Sequence, residues 1–109
     1  MTEFVRVASV GDVAPGSSLC VEVGDEPVAL FNCGGEIFAI GDTCTHAESS
    51  LSEGELLDGC IVECAMHGAQ FDVRTGKVLC LPATIDADRY AVRIEGDAIM
   101  VSRDPVASE

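Results

Sequence analysis

Two cysteines and two histidines form the pattern in this sequence best suited to chemistry: Cys44-Thr45-His46, then seventeen residues, then Cys64-Ala65-Met66-His67-Gly68. The chain has two histidines in all, and each stands beside a cysteine in one of these segments. Thiolate and imidazole together suit zinc or iron–sulfur chemistry. Zinc more often takes closely spaced cysteine pairs followed by a histidine pair, whereas here each pair is mixed. Two loops that each offer one Cys and one His can place the thiolates at one end of a two-iron cluster and the imidazoles at the other. The competing readings are a zinc-stabilised interaction module, and two buried thiols with two unrelated surface histidines. A Cys–His hydrolase has less support, because no acidic or amide orienter and no nucleophile-bearing turn can be identified.

The elements that must position these loops read as short strands. Phe4 to Ala8 is a first strand, ended by Gly11-Asp12 and a turn at Pro15-Gly16. Ser17 to Val23 and Pro27 to Asn32 form a hairpin around Gly24-Asp25, and Gly34-Gly35 closes a second hairpin onto Glu36 to Ile40. After Gly41 the apolar periodicity stops, and a polar segment carrying the first ligand pair runs to about Gly54. Strands resume at Glu55 to Leu57, Cys60 to Glu63, Gln70 to Val73 and Lys77 to Cys80, and the chain ends in a hairpin of Tyr90 to Glu95 and Ala98 to Ser102. No segment sustains a helical period, so the expected fold is all-β, an antiparallel sandwich of short strands.

A chain of 109 residues has room for one core, so a single domain over 1–109 is expected. Hydrophobic residues make up 48% of it, enough for that core without disulfide support. The N-terminus has neither a basic cap nor an apolar run, and no segment approaches the length of a membrane helix. The expected location is the cytoplasm. Cysteines there serve as metal ligands or buried thiols rather than disulfides, so Cys20, Cys33 and Cys60 are read as small hydrophobes in or beside strands. Cys80, next to Pro82, is read as packing too.

The formal net charge is −13, and its placement is uneven. Between Val7 and Val73 there are twelve acidic residues and no Lys or Arg. Nucleic acid and anionic membrane are therefore disfavoured as partners, since both recruit basic surface. Two roles for the acidity stay open: solubility alone, or electrostatic steering toward basic partner proteins.

At the ligand loops the sequence resembles the Rieske ferredoxins, specifically the soluble ferredoxins of bacterial aromatic-ring-hydroxylating dioxygenase systems. The Cys-x-His and Cys-x-x-His pairs fit that pattern in full. So do Ser52-Glu53-Gly54, the run from His67 to Val78, and Leu81-Pro82-Ala83, which matches a loop covering a third side of the cluster. Ala65 stands where the family often has Pro. The resemblance implies a Rieske fold with a cluster-binding part at about 41–83, formed by two loops. It implies one 2Fe–2S cluster held by Cys44, His46, Cys64 and His67, and a non-enzymatic electron carrier as the function. The implied partners are a flavoprotein NAD(P)H-dependent ferredoxin reductase and a terminal oxygenase acting on aromatic hydrocarbons. A monooxygenase ferredoxin or a nitrite reductase small subunit is the alternative system.

The same resemblance bears on the potential. Respiratory Rieske proteins carry a loop-clamping disulfide at positions matching Ser49 and Met66, and sulfur-directed hydroxyls at positions matching Ala69 and Phe71. They also carry a membrane anchor, for which this sequence shows no counterpart. With neutral imidazoles the oxidised cluster has no net charge, which lifts Rieske centres to roughly −150 to +300 mV, against about −400 mV for all-thiolate clusters. The missing hydroxyls put this chain near the lower end. The histidines would form the electron port, with Ala47, Glu48 and Met66 at its rim.

Overall fold

A computed structural model describes residues 3–42, 50–57, 60–64, 68–80 and 87–105. Eleven strands follow in chain order: β1 Phe4–Ser9, β2 Ser18–Val23, β3 Glu26–Cys33, β4 Glu36–Gly41, β5 Glu55–Leu57, β6 Ile61–Glu63, β7 Gln70–Asp72, β8 Val78–Cys80, β9 Arg89–Tyr90, β10 Val92–Glu95 and β11 Ala98–Ser102. They form three sheets, ordered β1-β11-β10, β2-β3-β4-β9 and β5-β6-β7-β8. Each described strand pairing is antiparallel, as expected for an all-β chain of short strands joined by tight turns. Two short 3-10 turns, Val10–Asp12 and Leu51–Glu53, interrupt the connections.

Local turn chemistry sets the central hairpins. Gly34 and Gly35 have φ of 66° and 98°, the double left-handed turn that glycine adopts without a steric cost. This fixes Cys33 opposite Glu36 and carries the register along to Val28 opposite Gly41.

The middle sheet is apolar on both faces, and side-chain parity divides the core in two. Val28 and Leu30 of β3 join Ile37 and Ala39 of β4 in packing with Val13, Tyr90, Ile99 and Val101 on the side of the first sheet. Ala29, Phe31 and Ile40 point the opposite way, onto Leu51, Val62, Cys64, Phe71 and Val73 on the side of the third sheet. Side chains that alternate along a strand produce this division directly. Phe31 and Phe71 are fully buried, each worth on the order of 1.5–3 kcal/mol relative to exposure. The sheet that leads into the second ligand loop therefore rests on the scaffold through a packed apolar layer.

Three expectations change. Tyr90 to Glu95 is not one strand: the chain crosses between sheets at Ala91, so β9 pairs with β4 and β10 with β11. The crossing is pinned by Ser102, whose hydroxyl accepts from the Ala91 N–H and whose own N–H donates to the Ala91 carbonyl, both at 2.9 Å. Cys33 and Cys60 are not separate packing thiols, because a disulfide joins them across 27 positions with Cα atoms 5.7 Å apart. The reason is again parity, since position 33 continues the 29, 31 face of β3 toward the third sheet. Cys20 is exposed rather than packed. No described helix is long and apolar enough to cross a membrane.

Candidate metal centre

Of the four expected ligands, Cys64 lies among the described residues, whereas Cys44, His46 and His67 lie outside them. Ala47, Glu48, Ser49, Met66 and the Leu81-Pro82-Ala83 segment also lie outside. The chemistry of the site is therefore read from its stems, where each candidate loop leaves and rejoins the sheets.

Residues 65–67 fall between β6 and β7 in the chain, and the described residues on either side of them pair closely. Glu63 pairs with Gln70, and the Gln70 amide donates to the Glu63 carboxylate at 3.1 Å. One step further out, the Cys64 N–H donates to the Ala69 carbonyl at 2.7 Å, and the Gly68 N–H donates back to the Cys64 carbonyl at 3.0 Å. Gly68 has φ of 77°, which reverses the chain within this short span. Cys64 is 1% exposed and belongs to the apolar layer shared with Phe31, Phe71 and Val73. A buried sulfur of this kind suits a soft metal.

Residues 43–49 follow β4 in the chain. Asp42 stands at the entry to this segment, and Ser50, Leu51 and Ser52 stand at its exit. Asp42 is buried, and burial alone would push its carboxyl up. Hydrogen bonds from the Ser50 hydroxyl and the Ser52 N–H outweigh burial and hold it below the ordinary carboxylate value. The exposed thiol of Cys20 donates to the same carboxylate at 3.5 Å. Partial burial first, and then the Asp42 charge, raise that thiol above its ordinary value.

The two stems touch through Gly54. A Cβ there would lie 2.1 Å from the Glu63 carbonyl oxygen, immediately before Cys64. A third connection, which rejoins the described chain at Ala87, is anchored in a similar way. The Ala87 N–H donates to the Gly76 carbonyl at 2.7 Å, and the Gly41 N–H donates to the Asp88 carbonyl at 2.8 Å. Residues 41–42, 50–54, 63–64 and 87–88 are thus joined to one another by backbone bonds and close contacts. Burial would raise the Asp72 carboxyl, but Arg74 donates to it from side chain and backbone and holds it low.

The Rieske [2Fe-2S] domain family matches residues 3–92. The chain belongs to that family. Its cofactor is a 2Fe–2S cluster, and the mixed thiolate and imidazole donors of the sequence, with a buried sulfur at Cys64, fit such a group. The Rieske chain is 49% identical over 98 residues to the ferredoxin component of biphenyl 2,3-dioxygenase from Rhodococcus jostii (strain RHA1), covering 90% of this chain and 91% of that one. Its fold superposes on the ferredoxin of carbazole 1,9a-dioxygenase from Nocardioides aromaticivorans IC177 with a TM-score of 0.86 at 33% identity, covering 90% of this chain and 95% of the other. It also matches a chain in a complex of reduced oxygenase and oxidised ferredoxin of carbazole 1,9a-dioxygenase, with a TM-score of 0.88, 34% identity, and 96% and 97% coverage. The Rieske chain is an electron carrier rather than a catalyst.

Two features of the site escaped the sequence reading. The Asp42 network joins residues up to 34 positions apart, and its one visible sign was a serine-rich run after the first Cys–His pair. The Cys33–Cys60 bridge was detectable in principle, because Cys33 shares the parity of Ala29 and Phe31.

Proposed function

We propose that Cys44, His46, Cys64 and His67 hold the cluster within one Rieske domain spanning 1–109, with its cluster-binding part at about 41–83. In this reading the chain carries single electrons in the cytoplasm, from a flavin-containing NAD(P)H-dependent reductase to a terminal ring-hydroxylating oxygenase. The observation that carries it is the placement of Cys64, buried in the apolar layer at the head of a loop closed on both sides by backbone hydrogen bonds. The relatives named above support the oxygenase as recipient, since they are ferredoxins of dioxygenase systems.

When bound, the cluster supplies a one-electron couple. The protein supplies a dry sulfur at Cys64 and stems that fix where the ligand loops begin and end. The acidic stretch from Val7 to Val73 supplies a field that attracts basic partners.

The test combines composition with partner kinetics. Purified protein should contain two irons and two acid-labile sulfides per chain, the stoichiometry of one such cluster. The reduced form should give the low average g of mixed His and Cys ligation, and replacing His46 or His67 with Ala should abolish it. Electron transfer from the reductase should slow steeply between about 0.1 M and 1 M salt, as the Debye length falls from about 10 to about 3 Å. Stoichiometric zinc without sulfide would overturn the ligand assignment. A salt-independent rate would confine the acidity to solubility.

A further inference from the structure

We propose that Asp42 is a positioning residue for the cluster: it fixes the distance between the two stems of the 43–49 segment, and so the arrangement in which Cys44 and His46 are presented. The proposal rests on the ligand assignment above and extends it to a residue that touches no cluster atom in that assignment.

Asp42 is 3% exposed, one of the few buried polar residues among those described, and its backbone and carboxylate groups are all hydrogen-bonded. Its N–H donates to the Pro27 carbonyl at 3.1 Å, which ties the entry stem to the scaffold. Its carbonyl accepts the Leu51 N–H at 2.6 Å, closing the backbone of the segment. One carboxylate oxygen accepts the Ser52 N–H at 2.8 Å. The other accepts the Ser50 hydroxyl. The exit stem is held a second time, because the Ser18 hydroxyl of β2 donates to the Ser52 carbonyl at 2.6 Å.

A buried carboxylate is costly unless its oxygens are hydrogen-bonded, and here two donors come from the far stem and a third, the Cys20 thiol at 3.5 Å, comes from β2. A smaller residue would leave the Ser52 N–H and the Ser50 hydroxyl without this acceptor. A longer one would carry the charge past them. The geometry therefore requires the length of Asp and an acceptor facing the Ser52 N–H, whereas the Ser50 hydroxyl can either donate to a carboxylate or accept from an amide. This is the work of residues that orient metal ligands without touching the metal, whose loss typically weakens metal retention about 10- to 100-fold.

Four variants of the intact holoprotein separate positioning from charge and from general stability. Asp42→Ala removes the acceptors, and Asp42→Glu keeps the charge but displaces it. Asp42→Asn keeps the length and one acceptor, and Ser50→Ala removes one donor. The readouts are the reduced-state g-values and the rate at which an iron chelator bleaches the visible absorption. Asn32→Ala serves as a control, since it breaks the buried bond from Asn32 to Val13 and the partly buried one from Gly35 to Asn32, outside the 43–49 and 65–67 segments.

The expected result is bleaching about 10- to 100-fold faster in Asp42→Ala and Asp42→Glu, with broadened g-values. Asp42→Asn should stay near the parent, Ser50→Ala should fall between, and Asn32→Ala should lower stability while leaving the g-values alone. If Asp42→Ala yields no folded protein, Asp42→Glu and Ser50→Ala decide. Parent-like bleaching and g-values in those variants would overturn the proposal. So would a Glu variant like the parent beside a damaged Asn variant, which would make the charge decisive. A parent protein without iron and sulfide would instead sink the ligand assignment on which the proposal stands.

Discussion

The disulfide between Cys33 and Cys60 connects the last residue of β3, in the scaffold sheet, to the residue that precedes β6 in the sheet leading to the second ligand loop. Cys60 also has φ of 64°, a left-handed conformation in a residue other than glycine, and its carbonyl accepts the Val73 N–H at 2.9 Å. The bridge therefore holds a turn whose backbone is strained against the apolar layer. A cross-link closing a loop of this length stabilises a chain by about 3–4 kcal/mol, mostly through the unfolded state. Replacing both cysteines with Ser should lower the stability from urea unfolding under non-reducing conditions by about that amount. The visible spectrum should not change. An unchanged midpoint would mean that the bridge constrains nothing in the unfolded chain.

Gly54 tests how tightly the stems meet. Its φ of −79° is open to any residue, so the constraint is space rather than conformation. Gly54→Ala must push apart the exit stem and Glu63, and overpacking of this kind costs about 1–3 kcal/mol. Gly11→Ala is the comparison, because nothing lies within 4 Å of a Cβ there. Thermal unfolding should show a clear loss for the first variant and little for the second. Cluster content should fall in the first alone. Equal behaviour of the two would show that the stems have room to separate.

Cys20 gives a pH-dependent signature of the same region. Partial burial and the neighbouring Asp42 carboxylate both disfavour the thiolate, so its pKa lies above the ordinary 9.0. Less thiolate is then present at any pH below that value, and alkylation, which needs the thiolate, is slowed. Peptide-resolved labelling should find Cys20 slower at pH 8 in the folded protein than in the urea-unfolded chain. The rate should still be climbing above pH 9, where the unfolded thiol levels off. A folded profile that levels off with the unfolded one would remove the Asp42–Cys20 contact from the description.

What the sequence made legible follows the range of the cause. Gly24-Asp25, Gly34-Gly35 and Gly96-Asp97 announce their hairpins locally, and strand edges fell within one or two residues because those turns decide them. The alternation in Val28-Ala29-Leu30-Phe31 showed a buried strand but not that each parity serves a different core, which requires knowing that sheets lie on both sides. Ala91 looks like any strand residue, and its role as a crossing depends on Ser102 from another strand. The first Cys–His pair was plain from residue type alone. Asp42, two positions before it, draws its meaning from Ser18, Ser50 and Ser52, which no local pattern connects to it.

Hydrogen-bond donors near a cluster sulfur raise its potential, and residues 69 and 71 are where this chain would carry them. Ala69 and Phe71 are fully buried in the layer that contains Cys64, and the Ala69 carbonyl accepts the Cys64 N–H, so residue 69 is held against the backbone of this proposed ligand. Neither side chain can donate a hydrogen bond. Ala69→Ser and Phe71→Tyr each add a hydroxyl in this layer, where sulfur is the acceptor expected at the site. A donor favours the more negative, reduced state over the oxidised one, so each variant should raise the potential. A differential gain of about 1 kcal/mol per bond converts to roughly 40 mV for one electron, and the pair should add on the order of 80 mV if the two act independently. The double variant should then be a poorer donor to its oxygenase with the ligand set intact. Voltammetry on the two singles and the double decides the matter, together with thermal unfolding. A buried hydroxyl that finds no acceptor would lower stability without moving the potential. A parent-like potential in a double variant whose stability is retained, so that both hydroxyls have found acceptors, would instead assign the potential to the surrounding carboxylates rather than to the missing donors.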